Sequence, residues 1–294
     1  MKAVAFDYVR PASVREACAL LGADEGSRVL AGGQSLIPML AMRLARPTRV
    51  IDIGRIADLA GVRESDGALE VGAATRQAVV EHDPIVAGKL PLLAKTLPWV
   101  GHPPTRRRGT LGGSLAHGDP AAEIPLVAVA LQAALTFQTV NEAGEIAAED
   151  FYLGPMINAL PEDAILVSVR FPLWTEGRSG TGFHEVSSRR SDFALVAAAA
   201  QVAIDADGQC TRLTVAIGGA CDTPVRLSSV GNQLTGSHLD EARVRKAVEA
   251  GTADLDTVDD LHASAAYRKR VGATLACRAI RDAKADALGG GHAR

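Results

Sequence analysis

The chain has 294 residues, 47% of them hydrophobic, and a formal net charge of −3 at pH 7. That length suffices for two domains and a sizeable core, and so even a charge balance excludes nucleic acid or an anionic membrane surface as the main partner. No apolar run is of transmembrane length and Met1-Lys2-Ala3-Val4 does not open a signal peptide, so the expected compartment is the cytoplasm.

Ser13 and Glu16 stand at capping-box spacing, and Val14, Ala17, Cys18 and Leu21 recur at helical spacing before Gly22. A short apolar run, Arg28-Val29-Leu30, then enters Ala31-Gly32-Gly33-Gln34-Ser35. Leu36-Ile37-Pro38-Met39-Leu40 follows as a helix with proline in its opening turn, expected to reach about Leu44 before Pro47 breaks it. Arg49–Ile53 reads as another strand, and strands separated by helices imply a small parallel lobe over about residues 1–56.

From Gly61 the pattern changes. Asp66-Gly67 lies between Val62-Arg63 and Leu69-Glu70-Val71, a hairpin signal. Thr75 is placed to cap a helix through Val80, and Leu90–Leu97 is a second helical stretch. A second glycine motif, Thr110-Leu111-Gly112-Gly113-Ser114, precedes an apolar helix over Ala121–Leu131 and strands at Thr136–Val140 and Ile165–Phe171. This mixture describes a second lobe over about 57–176. Trp174–Gly182, rich in glycine and small polar residues, reads as a boundary or surface loop.

Beyond it, Ala194–Asp205 and Cys210–Ile217 flank Asp207-Gly208 as a hairpin, and Ser237-His238-Leu239-Asp240 resembles a capping box whose helix stops at Gly251. Tyr267, Val271 and Leu275 share a helix face, and residues 289–294 read as a disordered tail. The expected class is α+β: a two-lobed ligand-binding domain over 1–176, then an α+β domain of hairpin strands and helices over 177–288.

The two glycine motifs carry the chemistry. A glycine turn between strand and helix leaves N–H groups free, and the helix dipole favours a phosphate there; a glycine pair also serves as a plain turn. Two such motifs, each ending in a hydroxyl residue about eighty residues apart, suggest two walls of one diphosphate site. A P-loop is absent, and Glu185 stands where Gly180-Thr181-Gly182 would need its third glycine to make a dinucleotide fingerprint. Cys18, Cys210, Cys221 and Cys277 are scattered, so neither an iron–sulfur cluster nor another metal site is expected. No catalytic triad or paired carboxylate stands out.

Ala31-Gly-Gly-Gln-Ser35 leading into Leu36-Ile-Pro-Met39, with Gly109-Thr-Leu-Gly-Gly-Ser114 leading into Ala116-His-Gly-Asp-Pro-Ala-Ala-Glu123, resembles the FAD-binding medium subunit of molybdenum hydroxylases, the aerobic carbon monoxide dehydrogenase and xanthine dehydrogenase relatives. The resemblance runs from Phe6-Asp7-Tyr8 to Tyr267-Arg268-Lys269-Arg270. It implies that Ala31, Gly32, Gly33, Gln34, Ser35 and Leu36 line one side of the FAD pyrophosphate, and Thr110, Gly112, Gly113 and Ser114 the other. Ser114 replaces an asparagine common in relatives and keeps a donor. Glu123 is implied to accept from the ribityl hydroxyls. Leu166 aligns with a backbone contact near the isoalloxazine, and His184 with a lysine near the flavin in some relatives. Phe193, after Asp192, matches a side chain that covers the flavin ring, although core packing explains it equally. Arg106-Arg107-Arg108 either offsets diphosphate charge, faces an acidic partner or is merely solvated, and His117 reads as structural.

The implied function is that of an oxidoreductase subunit with no catalytic side chain of its own. A molybdenum-cofactor large subunit oxidises substrate, a small subunit carries two [2Fe-2S] clusters, and this chain passes electrons through FAD to an external acceptor, in a dimer of heterotrimers. Two alternatives stand beside it: a self-contained FAD-dependent reductase on the same kind of fold, and a nucleotide-binding protein without redox function.

Overall fold

The computed structural model describes residues 2–175 and 177–289. At its N-terminus β1 (Asp7–Val9), α1 (Val14–Gly22), β2 (Ser27–Leu30), α2 (Leu36–Ala41) and β3 (Arg49–Asp52) build a parallel sheet of order β1-β3-β2. The capping box is present: Ser13 Oγ accepts the Glu16 N–H at 3.2 Å, and Glu16 takes the Ala12 N–H at 2.7 Å. Val14, Ala17 and Cys18 then face Ile51, Ile53 and Leu59 in a small core. α2 stops short of Leu44. Arg43 adopts φ 60°, and the N–H groups of Leu44 and Ala45 both return to the Met39 carbonyl, so the chain reverses well before Pro47.

The second lobe opens with the hairpin β4 (Val62–Ser65) and β5 (Ala68–Gly72), whose turn residues Asp66 and Gly67 have φ 49° and 71°. Thr75 does not cap the next helix. Its buried hydroxyl is bonded to both N–H and carbonyl of Gly61, and α3 (Gln77–His82) begins after Arg76. Three short helices follow, α4 (Pro84–Lys89), α5 (Pro91–Thr96) and α6 (Pro103–Arg108), each opened by proline at a position where a missing N–H costs nothing. α7 (Leu111–His117) and α8 (Glu123–Ala130) come next. Every residue of α8 is buried, so its run of apolar residues shows no amphipathic stripe. β6 (Ala134–Gln138), β7 (Ala143–Ala147), α9 (Ala148–Phe151), the hairpin β8 (Tyr152–Gly154) and β9 (Ile157–Asn158), and β10 (Ile165–Pro172) complete an antiparallel sheet of order β4-β5-β10-β6-β7, with β8–β9 apart.

β11 (Arg178–Ser187), β12 (Ala194–Ile204), β13 (Cys210–Gly218) and β14 (Val225–Arg226) form the last sheet in that order; α10 (Ser228–Leu234), α11 (Glu241–Thr252) and α12 (Ala265–Ala287) cover one face. β12 is buried on both faces: Ala197 and Ala199 join the core around α8, whereas Val196, Ala198, Ala200 and Val202 face α12. The stretch read as a surface loop becomes strand from Arg178, because its glycines let a helix lie directly on it. A Cβ at Gly182 would be 2.1 Å from the Ala279 carbonyl oxygen, and one at Gly180 2.3 Å from that of Ala283. α11 is capped by Asp240, which accepts from the Arg243 N–H at 3.0 Å, rather than by Ser237; that buried hydroxyl donates to the Leu234 carbonyl at 2.6 Å. Of the expected tail, residues 290–294 lie outside the described residues.

Candidate functional site

The two glycine motifs meet in space. The first joins β2 to α2, with Gly33 at φ 74°, a conformation that strongly favours glycine. Gly32 lies against the segment entering the second motif: a Cβ there would sit 2.4 Å from the Arg108 carbonyl oxygen and 2.7 Å from Gly109 Cα. A Cβ on Gly113 would in turn be 3.7 Å from Ala31 Cβ. Gln34 is exposed, Ser35 and Leu36 are half-buried, and Ser35 makes no capping bond.

The second motif is a helix start rather than a loop. Thr110, extended at φ −115° and ψ 156°, is the N-cap of α7, and its hydroxyl accepts the Gly113 N–H at 3.0 Å. Gly112 serves a different purpose from Gly113. Its N–H donates to the Ala73 carbonyl at 2.9 Å, and a Cβ would lie 2.4 Å from Ala73 Cβ, so glycine here lets the helix dock on the second sheet. Ser114 is half-buried on the same turn, and α7 ends at Gly118 with φ 63°.

Arg76 braces the approach to the second motif. Its guanidinium donates to the Arg108 carbonyl and lies near Gly54, while its backbone bridges Thr110. Gln77 adds to the brace, donating its N–H to the Gly109 carbonyl at 2.9 Å. Neither residue carries a local sequence mark. The basic run divides: Arg106 is buried and bidentate to Glu81 at 2.6 and 2.9 Å, while Arg107 and Arg108 are exposed. Arg106 is thus a structural ion pair, neither solvated nor offered to a partner.

Glu123 opens α8 and is buried. Burial lifts its carboxyl to about 7; the charge of Asp119 adds to this and that of Arg106 opposes it. A second acid, not singled out in the sequence, lies within reach of its charge on the last sheet. Glu185 on β11 has both carboxylate oxygens buried with no hydrogen-bond partner. Burial first, and the charge of Glu123 second, push it up to about 8. The only sequence signal was its position beside Gly180-Thr181-Gly182.

The other expected residues are dispersed. Leu166 sits in β10 opposite Phe137, just before a bulge, with its side chain in the main core. His184 bonds Asp282 of α12 through Nε2 at 2.8 Å, on the strand face opposite Phe183. Phe193 lies between β11 and β12 and is 77% exposed. The structure thus gathers the glycine motifs into one cradle, sets Glu123 on the following helix, and leaves Phe193 open to a flat partner. At Gly32 and Gly112 the missing Cβ is what lets backbone pack this closely on backbone.

The chain is similar to known proteins along nearly its whole length. Residues 4–174 match the model of the FAD binding domain in molybdopterin dehydrogenase, and residues 181–283 that of the CO dehydrogenase flavoprotein C-terminal domain. The nicotine 6-hydroxylase medium subunit of Paenarthrobacter nicotinovorans is 40% identical over 97% of this chain and 99% of its own. The carbon monoxide dehydrogenase medium chain of Afipia carboxidovorans is 34% identical over 96% and 98%. Among solved structures, quinoline 2-oxidoreductase from Pseudomonas putida 86 superposes with a TM-score of 0.92 at 34% identity, covering 98% of this chain and all of that chain.

Proposed function

The chain belongs to the family of FAD-binding medium subunits of molybdenum hydroxylases and is an oxidoreductase subunit; from that premise we propose that it takes electrons from a [2Fe-2S] subunit and hands them to an external acceptor. Its relatives are medium subunits of multi-subunit enzymes. We infer a large partner that holds the molybdenum cofactor and oxidises substrate, and assembly as a dimer of heterotrimers. The four unpaired thiols suit a reducing compartment, which favours the cytoplasm. Among the described residues no helix is long and apolar enough to cross a membrane.

The observation that carries the site assignment is the contact of Gly32 with the Arg108–Gly109 backbone. It sets the two glycine turns side by side, as two walls of one diphosphate site require. Ala31 to Leu36 would hold one side and Thr110, Gly112, Gly113 and Ser114 the other. Glu123 is assigned to the ribityl hydroxyls, the Leu166 backbone to the ring system, and exposed Phe193 to its face. His184 is engaged at Nε2, so contact with the flavin falls to the rest of its ring or its backbone. FAD, when bound, supplies the electron-transfer chemistry, and this chain supplies position and electrostatics. The domain division 1–176 and 177–288 follows the same reading, with the last sheet closing over α8.

Removing FAD from the assembled complex tests the assignment. Rapid mixing with substrate should still bleach the iron–sulfur absorption while turnover with the acceptor stops. Bleaching that disappears together with FAD would place the flavin on the substrate side and favour a self-contained flavoenzyme.

A further inference from the structure

Two acids with buried carboxyls lie at the seam between the second lobe and the last sheet, within reach of each other's charge, and one of them has no assigned role. Along β11 side chains alternate: Phe183 joins the core around α8, while His184 and Val186 turn toward α12. Glu185, paired with Ala197, therefore shares the strand face of Phe183, that of the core which also holds α8, and the charge of Glu123 reaches it there. Its oxygens are shut from water and meet no donor. The Ser187 hydroxyl, which acts to hold the carboxyl down against burial, donates to the Arg189 carbonyl at 3.0 Å.

An ionised carboxylate so placed, beside a second acid, is strongly disfavoured. The surrounding charges do not relieve it. Lys95 of α5 is committed to Asp286 and the Thr181 carbonyl, Arg106 to Glu81, and His184 and Asp282 to each other on the far face of the strand. Asp119 adds a further negative charge near Glu123.

We propose that Glu185 is a proton-binding residue that controls the cofactor site through Glu123: protonated, it leaves Glu123 as the one acid of the seam free to carry charge and accept the cofactor's hydroxyls, and its ionisation sets two like charges against each other and weakens FAD binding. Glu185 is a positioning residue in this scheme. The proposal rests on the assignment of Glu123 to the cofactor.

Fluorescence titration of the full chain with FAD, from about pH 7 to about pH 9.5, tests it. Glu185→Gln keeps a neutral group of the same shape, so it should match the unaltered chain at pH 7, where Glu123→Gln should bind more weakly. Above about 8, where Glu185 ionises, the unaltered chain should lose affinity by roughly up to tenfold per pH unit. Glu185→Gln should lose none of it. A flat profile for the unaltered chain, or a parallel fall in Glu185→Gln, overturns the proposal. Glu123→Gln that binds FAD normally at pH 7 overturns the underlying site assignment instead. If Glu185→Gln does not fold, calorimetry of the unaltered chain at about pH 8.5 in buffers of different ionisation enthalpy decides: proton uptake on FAD binding supports the proposal, and none overturns it.

Discussion

Gly32 and Arg108, on different lobes, approach so closely that a methyl group at position 32 would stand 2.4 Å from the Arg108 carbonyl oxygen. The lobes meet this closely because position 32 has no side chain. Gly32→Ala must push the two motifs apart, since the atom it strikes is backbone. We expect a loss of about 1–3 kcal/mol in stability and most of the bound flavin. Gly33→Val adds strain at φ 74°, and should also release flavin. The ratio of flavin to protein absorbance, with a denaturation curve, checks both. Gly88→Ala is the control. That glycine lies inside α4 with nothing near its Cβ direction, so alanine should retain FAD and stabilise by about 0.5–1 kcal/mol.

Thr110 offers a finer test. Its hydroxyl caps α7 by accepting from Gly113, so Thr110→Ala should cost about 1 kcal/mol and Thr110→Ser much less. If the same turn holds a phosphate, Thr110→Ala should raise the FAD dissociation constant as well. Equal affinity in the alanine and serine variants would show that the hydroxyl acts only as a cap.

The Arg106–Glu81 pair has both side chains largely buried, at 8% and 14% exposure. Arg106→Ala leaves Glu81 without its bidentate partner and should cost about 3–5 kcal/mol by chemical denaturation. The double replacement Arg106→Met with Glu81→Gln should recover much of that loss, because no buried charge remains. A double variant as unstable as Arg106→Ala would show that packing, not charge, is at stake.

Glu123 and Glu185 predict the sign of a pH effect on stability. Both carboxyls are raised in the folded chain, to about 7 and about 8. At these two positions the folded state binds more protons than the unfolded one, and their contribution to stability is greatest below the ordinary carboxylate range. It falls as pH rises through 7 and 8, where the folded carboxyls lose their protons. The melting temperature of the FAD-free chain should decline between about pH 5 and about pH 8.5. Glu123→Gln should flatten part of that decline and melt higher than the unaltered chain at pH 8. Identical slopes in the two proteins would remove Glu123 as a source of it.

Local signals were read well where the cause is local. The capping box at Ser13 and Glu16, the positive-φ turn at Asp66-Gly67 and the hairpin at Asp207-Gly208 each involve residues within one turn, and all three are present. Local reading failed where a competing partner lay elsewhere. Thr75 and Ser237 resemble caps, yet Gly61 and the Leu234 carbonyl claim their hydroxyls. Thr110-Leu111-Gly112-Gly113-Ser114 was not legible as a helix start, because two glycines argue against a helix unless its cap and its docking on Ala73 compensate.

The sequence by itself determined the α+β class, the parallel lobe, and the order and identity of the two glycine motifs, since these depend on spacing, propensity and turn chemistry along the chain. Only the tertiary structure decided what those residues meet. It set Gly32 on the Arg108 carbonyl, laid α12 across Gly180 and Gly182, buried Arg106 with Glu81, and brought Glu185 within reach of the charge of Glu123. Steric fit and charge interaction depend on what stands a few ångströms away in space, and in each of these cases that neighbour is distant in sequence.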